Sequence, residues 1–268
     1  MLTDSHCHLS HVLLRDQVPD ILERMRLAGV SRALCIATTF EEFDAVHALA
    51  LAHQALWCTV GVHPDNEGVQ EPDVATLVRL SRLERVLAIG ETGLDYFDMQ
   101  GRKAGRSIAD MEWQRERFRV HIRAAREVRK PLVIHTRSSA QDTLDILAQE
   151  GEDGAGNLAG GVFHCFAENM QVARQVLDRG YYISFAGIVT FKNAAALQDV
   201  ARFVPLERML VETDSPYLAP VPYRGKTNTP VHVVHVAQCI AQLRSIPFEQ
   251  VAQATSRNFD TLFSPNHE

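Results

Sequence analysis

Two histidines near the N-terminus have the spacing of a metal-binding pair. His6 and His8 belong to the run Asp4-Ser5-His6-Cys7-His8, which follows the apolar start of the chain. Side chains alternate along a β-strand, so both imidazoles point to one side while Cys7 points to the other. Such a pair at the end of a strand can hold one metal ion, although two loop histidines without a ligand would show the same spacing.

Four more residues with metal-ligating side chains follow apolar runs in the same way. Glu91 comes directly after the run 86–89, His135 ends Pro-Leu-Val-Ile-His, and His164 ends Gly-Gly-Val-Phe-His. Each of these residues alone can be explained as a polar residue where a strand meets solvent. Chance is a poor explanation for six ligand-type residues placed in this way. The predicted metal ligands are His6, His8, Glu91, His135, His164 and Asp214.

Six nitrogen and oxygen ligands indicate two ions rather than one. A single catalytic zinc usually takes three protein ligands and a water. The predicted division gives His6, His8 and Asp214 to one ion, and His135 and His164 to the other. Glu91 bridges them, since none of the four lysines ends a predicted strand and could be carbamylated for that task. Histidine-rich ligation suits Zn²⁺ or Mn²⁺ and phosphate chemistry commonly uses Mg²⁺, so the metal stays open among these three.

The elements that must position these ligands alternate along the chain. Eight short apolar runs alternate with amphipathic stretches of helical period, a pattern typical of a parallel sheet covered on both faces. We predict an α/β fold, a (β/α)8 TIM barrel of the amidohydrolase-like type, with an open doubly wound sheet as the alternative. The predicted strands begin near Leu2 and continue at 32–39, 57–63, 86–89, 131–134, 160–163, 181–185 and 208–211.

The length of 268 residues matches one barrel of about 250 residues, so residues 1–268 are predicted to form a single domain. The last two predicted helices, at 231–243 and 248–263, are expected to pack outside the barrel. Ligands at the ends of strands 1, 4, 5, 6 and 8 would meet at the carboxyl face, where active sites of such barrels lie. The other predicted helices are 18–28, 41–53, 111–128, 141–149, 169–178 and 194–202.

Composition limits the classes of function. The net charge of −6 argues against a broad basic surface that grips nucleic acid, but bound cations offset acidic ligands locally and leave a nucleic-acid substrate possible. Five cysteines without a CxxC pair are expected to be reduced and packed as small hydrophobes. With no signal-peptide pattern and no apolar run of roughly 18 residues, we expect a cytoplasmic protein without a membrane segment.

A set of motifs carries a specific resemblance. DSHCHL, GVHP, GETGLDY, HTR, FHCF and ETDSPYLAP, in this order, resemble the signature of the TatD family of metal-dependent deoxyribonucleases, closest to its YcfH-like branch. The resemblance covers nearly the whole chain and includes the later RGKTNTP and the pair Asn258-Phe259. It implies a TIM barrel, a divalent metal pair on the six residues above, and hydrolysis of phosphodiesters in DNA, often from the 3′ end. One departure is a longer stretch between Tyr96 and Phe118 with the basic piece GRKAGR, which leaves substrate preference open.

The resulting hypothesis is a divalent-metal-dependent DNase of the 3′–5′ exonuclease type, acting through a water that two ions activate. Its partner would be DNA, single-stranded or at a 3′ end, with no obligate protein partner. Asp214 is the candidate general base, since a ligand carboxylate can also orient and deprotonate that water. The alternatives are hydrolysis of a carbonyl ester or amide, such as an aminoacyl-tRNA, and a barrel used as a non-catalytic scaffold.

Three further residues are candidates for substrate binding. His63, in GVHP, would contact a phosphate or the leaving group, or else make a structural hydrogen bond. Arg137 would clamp a phosphate, since a guanidinium matches phosphate oxygens bidentately, or else form a surface ion pair. Tyr96 would stack on a base or cover the pocket. Six further histidines are interpreted as structural or surface residues: His11, His47, His53, His121, His232 and His235.

Overall fold

Eight parallel strands pair in chain order in the computed structural model, which describes residues 1–97, 105–153 and 159–264. A bridge between Cys7 and Ser215 joins the first strand to the chain after the last, and the His8 amide donates to the Ser215 carbonyl at 2.8 Å. The sequential order and this closure confirm the predicted TIM barrel and exclude the doubly wound sheet. The strands are β1 (Leu2–Cys7), β2 (Val30–Cys35), β3 (Leu56–Val60), β4 (Val86–Asp95), β5 (Leu132–Arg137), β6 (Gly161–Phe163), β7 (Tyr182–Phe185) and β8 (Met209–Val211).

Helices alternate with the strands and continue after the last one. The helix over Val74–Ser81 is not among the helices predicted from the sequence. Asp73 caps its N-terminus by accepting from the amide of Thr76. The helices are α1 (Val18–Leu27), α2 (Phe40–Ala52), α3 (Val74–Ser81), α4 (Glu112–Val128), α5 (Ala140–Gln149), α6 (Met170–Asp178), α7 (Ala195–Phe203), α8 (Val233–Arg244) and α9 (Phe248–Phe263). In the described part of the chain, no helix combines the length and apolar character needed to cross a membrane.

The inside of the barrel is built in layers that lead up to the predicted ligands. Val133 and Leu210 pack with Phe259 and other buried side chains in an inner apolar cluster. Two residues further along the same strand faces come His135 and Glu212, because alternate side chains of a strand share a face. His135 and Glu212 therefore stand directly above a buried apolar layer.

Helix α9 does more than cover the outside of the barrel. Phe259 and Phe263 join the inner cluster, and the Asn258 amide donates to the carbonyl of Met209, where β8 begins. The last helix thus closes the amino-terminal end of the barrel. The sequence predicts that this helix packs outside the barrel without a second core, and its helical period alone does not reveal these contacts with the inner cluster.

All five cysteines are free thiols, and Cys7, Cys35 and Cys58 are buried. Cys7 and Cys35 pack in the main hydrophobic cluster between the strands and the helices. The predicted use of these cysteines as small hydrophobes is confirmed for the three buried ones.

Strand β4 is longer than its apolar run predicts, and its glycines explain why. It continues past Ile89 to Asp95, so Glu91 lies inside the strand rather than after it. Gly93 has a φ of +123°, and a Cβ built there would collide with the carbonyl oxygen of His135. The absence of a side chain lets β4 approach β5 closely, beside two of the predicted ligands.

We predict that Gly93→Ala destabilises the protein more than Gly29→Ala does. Gly29 also has a positive φ, +77°, but its Cβ would meet nothing within 4 Å. The control therefore costs about 1–2 kcal/mol for the left-handed backbone alone. The collision at Gly93 adds about 1–3 kcal/mol, as overpacking does. Urea unfolding of the two variants measures the loss of unfolding free energy in each. Equal losses would show that β4 and β5 can separate without cost.

His121 of α4 ties the helix to the end of β3. Its Nε2 accepts from the Val62 amide at 2.9 Å, and its Nδ1 faces the Arg117 carbonyl at 2.7 Å. This arrangement requires a neutral ring, and burial lowers the pKa of His121 to about 4. The histidine interpreted as structural from the sequence thus helps to place His63, the residue that follows Val62.

The pH dependence of stability should report this buried ring. Because the folded pKa lies below the unfolded one, the stabilisation is complete above about pH 6.5 and is lost as the pH falls towards 4, by about 3 kcal/mol. In metal-free protein, His121→Gln should remove this part of the pH dependence of the unfolding free energy, whereas His53→Gln, at the end of α2, should keep it. An unchanged slope in His121→Gln would assign the acid sensitivity to other groups.

Candidate metal centre

The barrel brings all six predicted ligands together at its carboxyl end. His6 belongs to β1, Glu91 to β4 and His135 to β5, while His164 directly follows β6. Five of the six line one cavity of about 660 Å³, and the sixth, His6, is fully buried beneath it. The ligand residues that line the cavity are His8, Glu91, His135, His164 and Asp214.

The carboxylate of Glu91 lies between two groups of imidazoles. Its Oε2 is 3.4 Å from Nε2 of His6 and 3.9 Å from Nε2 of His8. Its Oε1 is 2.8 Å from Nε2 of His164 and 3.2 Å from Nδ1 of His135. Each oxygen of one carboxylate therefore faces a different pair of histidines.

Asp214 completes the group around the N-terminal histidines. Its Oδ1 lies 3.4 Å from Nε2 of His8 and 3.6 Å from Nε2 of His6, and the ligand atoms of the three residues all lie within 4.8 Å of one another. The opposite nitrogen of His8, Nδ1, faces the carbonyl oxygen of Ile36 at 3.3 Å. That carbonyl accepts from Nδ1 and leaves Nε2 to face Asp214, where it donates to the carboxylate and would offer its lone pair only to a bound cation.

Two buried carboxylates orient the other histidines, and sequence reasoning missed both. Asp95 Oδ2 lies 3.1 Å from Nε2 of His135, and Glu212 Oε1 lies 3.3 Å from Nδ1 of His164. Each holds a ring proton on the far nitrogen, so that the other nitrogen would offer its lone pair to a bound cation. The signal was present in the sequence, because Asp95 and Glu212 stand in GETGLDY and ETD beside two predicted ligands.

His63 reaches the same carboxylate with the opposite tautomer. Its Nδ1 accepts from the Asp65 amide at 3.1 Å, so a neutral ring carries its proton on Nε2. That Nε2 lies 3.4 Å from Oε1 of Glu91. Although His63, Glu91 and His135 lie close enough to share an ion, the neutral ring presents a hydrogen-bond donor here rather than a lone pair.

The charge balance of the centre suits bound cations. Burial alone would raise the pKa of Glu91, but the charge of His164 and neighbouring histidines holds it well below its usual range. Burial would likewise raise the pKa of Asp214, but the hydrogen bond from His8 outweighs it and lowers the pKa. Both carboxylates are thus ionised at neutral pH.

Two nitrogens also point at each other, since Nε2 of His6 and Nε2 of His8 are 3.3 Å apart. Such a pair needs either a shared proton or a cation between or beside the two lone pairs. With ionised carboxylates and facing imidazole lone pairs, the residues present fit a divalent metal.

Arg137 and Tyr96, both predicted to bind substrate, have different surroundings. Arg137 lines the cavity, and its guanidinium carbon lies 3.5 Å from the centroid of the Phe97 ring. Tyr96 is 5% exposed, lies outside the cavity lining, and donates from its hydroxyl to Oδ2 of Asp142 at 2.8 Å. Because β4 extends to Asp95 and that side chain faces the centre, the next residue faces α5 instead. The predicted stacking role of Tyr96 receives no support from this position.

The basic piece at 101–106 lies largely outside the described residues. Its last member, Arg106, is described and pairs with Glu67, with Nη1 2.6 Å from Oε1. That arginine is therefore engaged at the rim by a carboxylate.

Comparison with known proteins places the chain in a family. The model of a family described as TatD-related DNases matches residues 3–264. The chain belongs to the TatD family. It is 44% identical over 266 residues to the uncharacterised metal-dependent hydrolase YcfH of Escherichia coli K12, covering 98% of this chain and 95% of that protein. The resemblance read from the motifs is confirmed.

Other relatives within and beyond the TatD family support the same fold. A protein of Citrobacter koseri named a 3′-5′ ssDNA/RNA exonuclease is 32% identical over 250 residues, covering 91% of this chain and 92% of that one. The crystal structure of YjjV, a TatD homologue from Escherichia coli, superposes with a TM-score of 0.86 at 27% identity over 98% of both chains. Organophosphorus hydrolase from Deinococcus radiodurans shares the fold at 16% identity and a TM-score of 0.66, covering 98% of this chain and 92% of that one. Family and donor set together identify a metal-dependent hydrolase.

We predict that Glu91→Gln weakens metal binding at this centre, because one carboxylate faces both groups of histidines. The substitution keeps the side-chain shape and removes the charge, so metal affinity should fall by at least about 10- to 100-fold, the loss typical of even outer partners. Metal content after exhaustive dialysis measures the effect.

The matched control is Glu152→Gln, a fully buried glutamate that accepts from the hydroxyl of Tyr181 at 3.0 Å, away from the cavity lining. This control should keep the wild-type metal content. Wild-type metal content in Glu91→Gln would contradict the role of this carboxylate in metal binding.

Proposed function

We propose that the protein hydrolyses phosphodiester bonds at the 3′ ends of DNA with two divalent cations. The observation that carries this proposal is the carboxylate of Glu91, whose two oxygens face separate groups of ligands at the floor of one cavity. Two ions that share a carboxylate suit the two oxygens of an in-line displacement at phosphorus. The cationic Arg137 on the same cavity suits a phosphate substrate.

The proposed assignment gives one ion to His6, His8 and Asp214, and the other to His135 and His164, with Glu91 between them. Mg²⁺, Mn²⁺ and Zn²⁺ are the candidate metals. When bound, the ions would act as Lewis acids that stabilise charge on phosphate oxygens and lower the pKa of water.

The side chains around the ions divide the remaining tasks. Asp214 is ionised and directed at the centre, so it can orient the attacking water and accept its proton. The Nε2 proton of His63 can be donated to a phosphate oxygen or to the leaving oxygen. Arg137 can form two parallel hydrogen bonds to phosphate oxygens, because the described residues include no carboxylate paired with its guanidinium.

A direct assay separates this function from its rivals. Purified protein is given 5′-labelled single-stranded DNA with Mg²⁺ or Mn²⁺, beside an aminoacyl-tRNA as the carbonyl ester. Shortening of the DNA from its 3′ end supports the proposal. Turnover of the ester alone would replace it with carbonyl hydrolysis, and no turnover of either substrate at full metal occupancy would favour a non-catalytic barrel.

We expect Asp214→Asn to slow cleavage of a DNA 3′ end by at least about 100-fold. The amide keeps an oxygen of the same shape but accepts no proton at working pH, so substrate binding should change little. Single-turnover rates are measured together with metal content, because the loss of charge also weakens the ion.

Asp199→Asn, on the exposed surface of α7, serves as the control and should keep the wild-type rate. If Asp214→Asn retains both ions and the wild-type rate, Asp214 is only a ligand, and His63 becomes the next candidate for the base.

A further inference from the structure

Exposed apolar side chains concentrate around the mouth of the barrel. Among the described residues, eleven large hydrophobic side chains are exposed, and six of them lie on connections that follow strands. Those connections surround the cavity, since barrel active sites lie at the carboxyl ends of the strands. The six are Val12, Leu13, Phe97, Ile108, Tyr217 and Val221.

Tyr217 is the member of this group that lines the cavity itself. Its side chain is 53% exposed, and its ring centroid lies 6.2 Å from that of His8 and 5.7 Å from that of His11. The ring thus stands next to a metal ligand, at the wall of the space that a substrate would enter. In the described part of the protein, its hydroxyl has no hydrogen-bond partner.

The backbone holds Tyr217 in place although the ring is exposed. Its amide donates to the carbonyl of Asp214 at 2.9 Å, and its carbonyl accepts from the Asn228 side chain at 2.7 Å. The same Asn228 amide also donates to the Thr213 carbonyl at 2.9 Å. An aromatic ring on a fixed backbone offers contact area at a small cost in conformational entropy.

A cationic side chain lies across the cavity from β8, at the end of β5. The guanidinium of Arg137 is packed over the Phe97 ring, which limits its rotation before a ligand arrives. Three features therefore surround one cavity: the aromatic ring of Tyr217, the metal centre and the fixed cation of Arg137. A single-stranded nucleic acid presents the matching series of base, scissile phosphate and next phosphate.

We infer that Tyr217 is the surface on which the terminal base of a single-stranded nucleic-acid 3′ end stacks while its phosphodiester lies at the metal centre. This assignment rests on the proposed function and gives its substrate preference. Stacking tolerates any base but requires one that is free of a duplex partner, so the preferred substrate is an unpaired 3′ end.

The test uses two 5′-labelled single-stranded oligonucleotides that differ only at the 3′-terminal residue, which carries a base in one and is a tetrahydrofuran residue without a base in the other. Tyr217→Leu should lower kcat/KM on the base-bearing end by about 10- to 100-fold, the size of one base–aromatic stack. On the end without a base, it should leave kcat/KM unchanged. Tyr217→Phe should keep the wild-type values, because the ring and not the hydroxyl acts.

The control is Phe203→Leu, an exposed aromatic residue at the end of α7 that does not line the cavity. It should cleave both ends at the wild-type rate. If Tyr217→Leu loses the same factor on both oligonucleotides, or none on either, the stacking role is overturned. Metal content of every variant is measured, so that a damaged centre is not mistaken for lost stacking.

Equilibrium binding distinguishes failure of this inference from failure of the proposed function. Fluorescence anisotropy with both oligonucleotides is measured in Ca²⁺ in place of the catalytic metal. In one outcome, the wild type binds the base-bearing end more tightly, Tyr217→Leu abolishes this preference, and no DNA is cleaved in Mg²⁺ or Mn²⁺. That result supports the stacking surface and excludes the nuclease function. Cleavage without any preference between the two ends supports the nuclease function and excludes the stacking surface. If the protein neither binds nor cleaves the oligonucleotides, both proposals are excluded.

Discussion

The structure depends on one buried carboxylate that has to satisfy two sets of imidazoles. Glu91 is 3% exposed and lies inside β4, with one oxygen directed at His6 and the other at His164. An ionised carboxylate in such a place is strongly unfavourable without positive charge beside it. Protonated histidines or metal ions supply that charge, so the centre and the strand that carries it are stable only as a unit.

The surroundings of the centre are arranged to keep each donor in one orientation. Asp95 and Glu212 fix the protons of His135 and His164, and the carbonyl of Ile36 does the same for a third imidazole. Below them the inner apolar cluster, closed by Phe259, excludes water from the floor of the site. A ligand held by a defined tautomer on a rigid strand needs little rearrangement when an ion binds, which favours tight binding.

The exposed apolar surface is separate from this rigid floor. The ligands come from strands or the residues directly after them, whereas the exposed apolar side chains lie on the longer connections around the mouth. Arg137 belongs to both regions, since it ends β5 and packs on Phe97. In a barrel of this kind the strands fix the reaction and the connections vary the substrate, because only the connections can change length without moving the ligands.

The sequence by itself determined the barrel, the family and the strand-end positions of the six candidate ligands. The reason is local: a ligand at the end of a strand is encoded by a short apolar run followed by one polar residue, and alternation alone puts His6 and His8 on one face. The tertiary structure decided what depends on contacts between strands. The register of β4 against β5 shifts between Ile89 and Thr92, around Glu91, and no single run predicts this. The extension of β4 to Asp95 turned Tyr96 away from the cavity, and the fold after β8 placed Tyr217 beside it. Which aromatic side chain faces the site follows from strand length, register and closure, and those are set only when the strands pair.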